Sequence, residues 1–528
     1  MLLLGAAAPR LDRADPYPRG RLGQFEVDGL DFRPAGAWRR GATAVRAMRA
    51  GRLRSGDLDG LNRAAIAGRA RAWSSAPRAA TAVTGSYFVP VVPIAFRNVP
   101  PPYPAAQYQS VLFDPAPVSG PYSVRSYYAE ASRGLVQING VVLDWAVADS
   151  NDTYYEDGCN GVGVLLPCPH GGLRFGELLL EALAWNDTGQ VDWGGFDNDG
   201  PDGAPNSGDD DGVVDFVTFL QPEVDGACGT SHIWAHRYDL AVWNGGSAYV
   251  TRSPRRDAGG QVIPGSFIQI RDYTVQSGIG GPTACAADGI MPIGTIAHET
   301  GHAFGLPDLY DTNLQSAGVT QGIGEWGIMG SGNYSQPYSP SAFEAWSLSE
   351  LGWVVVDTLR QGQSVVLAPV ATGDTVRYLA VPNTDEYFLF ENRQPIGTDS
   401  AQLNPLCHFR TRSCAKAPGL LIWHIDQGQI AAHGFRQDNR VNSGPIHGVA
   451  LVQADGLDDL GQSGGKNRGD LGDAWPGLSG AVVFSATTNP GALDNQGRTA
   501  GFMLDSIRQV SPVGPVAFRL TLVPPGQV

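Results

Sequence analysis

The stretch Ile293 to Asp311 reads IGTIAHETGHAFGLPDLYD, and it decides how the rest of the chain is read. His298 and His302 stand four residues apart, so on a helix both imidazoles leave one face and can turn a ring nitrogen to a single Zn2+. Glu299, beside the first of them, is placed to take a proton from a water held by that metal. Gly305 and Asp308 follow at intervals of three and extend the pattern to H-E-x-x-H-x-x-G-x-x-D. A glycine can end the helix in a left-handed turn and bring the chain back, so Asp308 can act as third ligand and leave a fourth position for water. Pro307 cannot continue the helix and fits that stop. The alternative is that Asp308 is only a loop residue and Glu325, further on, supplies the third ligand.

Working outward, Met329 lies 21 residues past Asp308 in GEWGIMGSGNY, where a methionine turn would lie beneath a zinc site. With the extended motif, this resembles the metzincin clan, and within it the immune inhibitor A-like family of secreted bacterial metalloproteases. The strings that carry the resemblance are HETGHAFGLPDLYD (His298 to Asp311), GIMGSGNY (Gly327 to Tyr334) and FDNDGPDGAPNSGDDDGVVD (Phe196 to Asp215). It continues in EYFLFENRQ from Glu386, GLLIWHID from Gly419 and HGVALVQADG from His447, and so covers roughly Val83 to the C-terminus.

The resemblance implies an α+β fold: a metzincin-like zinc protease domain with a mixed sheet and an active-site helix, followed by a β-rich C-terminal region. It also implies aspartate as third zinc ligand, matching Asp308. The reaction is then peptide hydrolysis by metal-activated water, the metal lowering the water pKa toward ~7. Glu299 accepts the proton and passes it to the leaving amine. Tyr334, just after the methionine turn, is a candidate to assist the oxyanion, although its spacing from Met329 differs from other metzincins.

Eight aspartates and no lysine or arginine fall within the 24 residues from Asp192 to Asp215. Hard divalent cations would relieve that repulsion through oxygen ligands. The loop is no EF-hand, since the fifth position is Pro201 counting from Asp197 and Val213 counting from Asp209. The family association with Ca2+ carries over to Asp197, Asp199, Asp209, Asp211 and Asp215. A merely solvated acidic loop is the plainer alternative.

At 528 residues the chain suits two to four domains, and 69 Gly with 38 Pro point to a loop- and strand-rich build rather than a helical bundle. A net charge of −15 argues against a nucleic-acid surface. The charge is uneven: residues 1–80 carry 15 Arg against six Asp and one Glu, a net of +8, which leaves −23 for the rest. Residues 1–82 therefore read as a signal remnant (MLLLGAAA) and a prosegment drawn to the acidic body, or as a plain linker. This arm holds no cysteine, so none of its thiolates could cap the zinc. No apolar run is long enough for a membrane span. Six cysteines allow 15 pairings, and short separations favour Cys159 with Cys168 and Cys407 with Cys414, leaving Cys228 with Cys285. Disulfides imply a secreted protein.

The domains expected are 1–82, 83–353 and 354–528. Short helices are expected within 42–73, and a proline-bearing edge or bulged strand at Tyr87 to Phe96. Asn139-Gly140 predicts a hairpin turn in Leu135 to Trp145, and Leu173 to Trp185 predicts a helix with Glu177 and Glu181 on its polar side. Alternating runs at 364–367, 387–391, 420–425, 448–452 and 516–522 predict the all-β unit. His424 alternates with Trp423 and Ile425 and is expected to face away from their side. The function expected is a secreted zinc endopeptidase acting on protein substrates. The alternative is a non-catalytic, calcium-stabilised surface or adhesion protein with a vestigial metal site.

Overall fold

The apolar run Gly85–Ala95 forms the central strand of a mixed sheet in a computed structural model of the chain. Residues 83–523 are described, apart from 118–119, 163–167, 198–203, 209, 283–284, 313–318, 335, 404–415, 435–438 and 465–466. The expected prosegment with its short helices, and the expected pair Cys407 and Cys414, fall outside the described residues. Among the described residues no helix is long and apolar enough to cross a membrane.

The central strand pairs in parallel with Val136–Val142 on one side and Val217–Gln221 on the other. The latter pairs in parallel with Asp272–Ser277, and an antiparallel strand, His236–Asp239, closes that edge. Two expectations fail here. Gly85–Ala95 is central, not an edge, and its prolines sit where pairing changes hands. Pro90 precedes the pairing that starts at Val91 with Thr218, and Pro93 falls between the pairings to Val142 and Ala146. Asn139 and Gly140 do not turn a hairpin; they lie inside a straight strand opposite Phe88 and Val89. Gly140 is glycine because the Phe113 ring and the Val89 carbonyl occupy the space a Cβ would need.

The expected helix spans Leu173–Asn186 and buries Phe175, Leu178, Leu179, Ala182 and Leu183 on one stripe. On its polar side Glu181 accepts from the Tyr155 hydroxyl at 2.7 Å and Glu177 from that of Tyr154 at 2.8 Å. Disulfides join Cys159 to Cys168 and Cys228 to Cys285, as expected from their separations.

Beyond Trp353 a five-stranded sheet runs Val355–Thr358, Thr375–Ala380, Glu386–Arg393, Gly419–Asp426, Val449–Leu451. A three-stranded sheet, Ser364–Leu367, Val516–Leu522 and Phe502–Gln509, pairs in that order. The expected β runs fall on these strands. Glu386–Arg393 is buried along its whole length. Leu389, Leu421, Trp423 and Ile425 pack into the cluster that holds Ile296, Met329 and Trp353. Phe388, Phe390, Leu420 and Ile422 pack instead with Phe502 and Phe518. One apolar cluster thus runs unbroken from the helix that carries Ile296 through the five-stranded sheet. His424 does face away from Trp423, but toward another apolar layer. It stacks on Phe388 at 4.6 Å, and its Nε2 lies 2.7 Å from a Glu386 carboxylate oxygen.

Candidate metal centre

The helix Gly294–Ala303 carries His298, Glu299 and His302 and packs on the strands Asp272–Ser277 and His236–Asp239. All of its residues except Thr295 are buried. The Tyr128 hydroxyl donates to the Ala297 carbonyl at 2.7 Å, which ties the helix to the element on its other side. The helix stops as expected: Gly305 adopts φ +83° and its N–H donates to the His302 carbonyl at 2.7 Å.

That turn returns the chain to the two histidines. His298 Nε2 lies 3.0 Å and His302 Nε2 3.3 Å from Asp308 Oδ1. The ligand atoms of His298, His302 and Asp308 all lie within 4.8 Å of one another, and all three residues are buried. Each imidazole is oriented from behind. His298 Nδ1 donates to the Ile328 carbonyl and His302 Nδ1 to the Leu306 carbonyl, both at 2.7 Å. With Nδ1–H so used, each ring turns its Nε2 to the centre, the nitrogen a metal would take in place of the proton shared with Asp308. Two imidazole nitrogens and one carboxylate oxygen make a donor set that fits zinc.

The electrostatics agree. Burial alone would lower the His298 pKa, but the hydrogen bond and charge of Asp308 outweigh it and raise it to about 9. Asp308 is held well below the usual carboxylate range: burial opposes this, yet the charge of His302 and the bond from His298 prevail. The three groups are built around a shared positive charge, the place a divalent cation would take. Burial pushes Glu299 up to about 7, against the opposing pull of His302 and His298.

Met329 is fully buried, and its sulfur lies where a Cβ on Gly301 would stand, directly against the helix. Its carbonyl accepts from Leu309 N–H at 2.8 Å, so the segment around Met329 also pins the residue after Asp308. Tyr334 is raised above the ordinary tyrosine range by burial first, then by the Asp225 charge, with a smaller contribution from Glu299. Glu325 is not brought to the centre. Its carboxylate accepts from Lys416 Nζ at 3.1 Å in a buried pair.

Two neighbours escaped sequence reasoning. Asp225 is buried, raised by that burial, and bound by the N–H groups of Ala227 and Ala235; its charge reaches both Glu299 and Tyr334. Asn439 stands 131 residues past Asp308 in sequence yet holds it directly. Its Oδ1 accepts from Asp308 N–H at 2.9 Å and its Nδ2 donates to Asp308 Oδ2 at 2.6 Å. Nothing in the local pattern around Asn439 signals this; only its positive φ, visible once folded, marks it.

Of the expected calcium ligands, Asp197 and Asp215 are buried and Asp211 is exposed, accepting from Val213 N–H at 2.9 Å. Asp199 and Asp209 lie outside the described residues. Asp210, not among the expected ligands, is also buried and accepts from Ser207 N–H at 2.7 Å.

A helix-borne H-E-x-x-H set with a returning aspartate, seated against a mixed sheet, defines a metallopeptidase domain. Comparison with known families agrees: residues 99–352 match the family described as immune inhibitor A peptidase M6, catalytic domain. The pre-pro-metalloprotease PrtV of Vibrio cholerae serotype O1 is 30% identical over 262 residues, covering 46% of this chain and 26% of that protein. Immune inhibitor A of Bacillus thuringiensis subsp. alesti is 27% identical over 220 residues, 40% of this chain and 28% of that protein. The chain thus spans about a quarter of the length of these relatives.

Proposed function

We propose that the chain is a secreted zinc-dependent endopeptidase acting on protein substrates, with a metzincin-like catalytic domain at 83–353 and a β-rich domain at 354–528. The observation that carries this reading is the convergence of His298 Nε2, His302 Nε2 and Asp308 Oδ1 beside the buried Glu299. Zinc held by these three residues supplies Lewis acidity that activates water and polarises a peptide carbonyl. Glu299, with its pKa near neutrality, accepts the water proton and returns it to the leaving amine. We assign Tyr334, held protonated by its surroundings, the role of hydrogen-bond donor to the developing oxyanion.

Calcium at the loop of Asp197, Asp199, Asp209, Asp211 and Asp215 is part of the same proposal, as is a prosegment role for residues 1–82. The two disulfides support export. A non-catalytic adhesion protein is not favoured, because the family match is to a catalytic domain and Glu299 is intact. The test is cleavage of casein by the purified protein with and without phenanthroline, alongside Glu299→Ala. Cleavage that persists with the chelator, or survives the substitution, rejects this mechanism.

A further inference from the structure

We infer that Asn439, supplied by the β-rich region, is the positioning residue of the third metal ligand, selecting which oxygen of Asp308 faces the two histidines. The inference rests on the zinc reading in one respect, that Asp308 is a ligand.

The geometry separates the two oxygens of Asp308. Oδ1 lies toward both Nε2 atoms, at 3.0 and 3.3 Å, while Oδ2 takes the Asn439 amide at 2.6 Å. The same side chain accepts the Asp308 backbone N–H at 2.9 Å, so it grips the ligand at both ends. Two anchors on one short residue leave its carboxylate little rotational freedom, and a ligand that arrives oriented loses less entropy on binding. A neutral amide suits this task. It donates without removing the negative charge a cation needs, whereas a lysine or arginine would compete for the carboxylate as a cation itself.

Asn439 is itself fixed. It is 1% exposed, sits at φ +55°, a region asparagine tolerates better than most residues, and its carbonyl accepts the Thr312 hydroxyl at 2.8 Å. Asn442, three residues on, provides an internal contrast. Its Nδ2 donates to the carbonyls of Leu309 and Val449, each at 2.8 Å. It therefore ties the same loop by backbone alone and makes no bond to the Asp308 carboxylate.

The experiment uses the full chain, stripped of metal and titrated with Zn2+ against a chromogenic chelator, and separately loaded with Co2+ to read its visible absorption. Asn439→Asp keeps the shape but sets a second carboxylate against Oδ2; Asn439→Gly keeps the left-handed backbone and removes both side-chain bonds. Each is expected to weaken zinc binding roughly 10- to 100-fold and to alter the Co2+ spectrum. Asn442→Ala is expected to lower the melting temperature yet keep the Co2+ spectrum and zinc affinity of the unaltered chain. Unchanged affinity and spectrum in folded Asn439→Gly overturn the inference, as does an Asn442→Ala loss equal to that of Asn439→Gly, which would reduce Asn439 to loop packing. Circular dichroism of the metal-free proteins checks folding, and if Asn439→Asp misfolds, Asn439→Gly carries the test. Asp308→Ala distinguishes the two levels: if it keeps zinc, the ligand reading itself has failed.

Discussion

The two halves of the candidate metal centre are supported from opposite parts of the chain. His298 and His302 are oriented by the carbonyls of Ile328 and Leu306, within the peptidase region. Asp308 is gripped by Asn439, and the loop beyond it by Asn442, both from the β-rich region. Further along, Glu325 is paired with Lys416, and Trp326 Nε1 donates to Asp473 at 2.7 Å. A short motif can place two ligands by helical spacing alone. The third depends on a turn whose far side has to be held, and here the holding residues come from the loop that leads into the strand Val449–Leu451.

The largest expected effect tests the half that needs no outside help. Glu299→Gln should cut turnover roughly 10²- to 10⁴-fold while leaving bound zinc unchanged, measured as casein hydrolysis and metal content of the same sample. Retained turnover would remove Glu299 from the chemistry. A pair of substitutions then sharpens the contrast between ligand and support. Asp308→Ala should lose most bound zinc, whereas Glu325→Ala should keep it and instead cost about 3–5 kcal/mol of stability in urea unfolding, because Lys416 is left buried without its counter-charge. Zinc loss in Glu325→Ala alone would move the third ligand from Asp308 to Glu325.

A third prediction concerns the peptidase sheet by itself. His236, on the edge strand, is lowered from 6.5 to about 4 chiefly by burial. The unfolded chain therefore binds a proton that the folded one refuses between these values. Stability present above pH 6.5 should fall as pH drops toward 4, by up to roughly 3 kcal/mol from this group. Unfolding curves at pH 7 and pH 5 should show a smaller drop in His236→Gln than in the parent; equal drops would place the acid sensitivity elsewhere. The smallest effect expected is that of calcium. If the aspartate loop binds it, Ca2+ at 100 times its dissociation constant should add about 2.7 kcal/mol and raise the melting temperature. No shift would return the loop to a solvated one.

What could be read in advance follows the same division. The H-E-x-x-H spacing, the left-handed Gly305 and the returning Asp308 are local chemistry, and they sit as their spacing predicts. The helix at Leu173 and the β runs were legible because burial imposes a period on sequence. Asn139-Gly140 misled because turn chemistry and close packing select the same residue. At that position the demand came from Phe113 and Val89 across the sheet. Asn439 and Asp225 were invisible for a different reason: each acts across a long sequence interval, and neither belongs to a periodic pattern. Glu325 could be weighed as a ligand only until its partner, Lys416, was seen to face it.

The strand Glu386–Arg393 gives one side to the cluster around the active-site helix and the other to the cluster around Phe502. Cutting the gene after residue 352, where the family match ends, would leave the peptidase with an open apolar flank in place of Leu389, Trp423 and Ile425. A recombinant fragment trimmed there is expected to aggregate on expression. The smallest piece worth producing as an isolated reagent therefore extends to the last strand, Val516–Leu522.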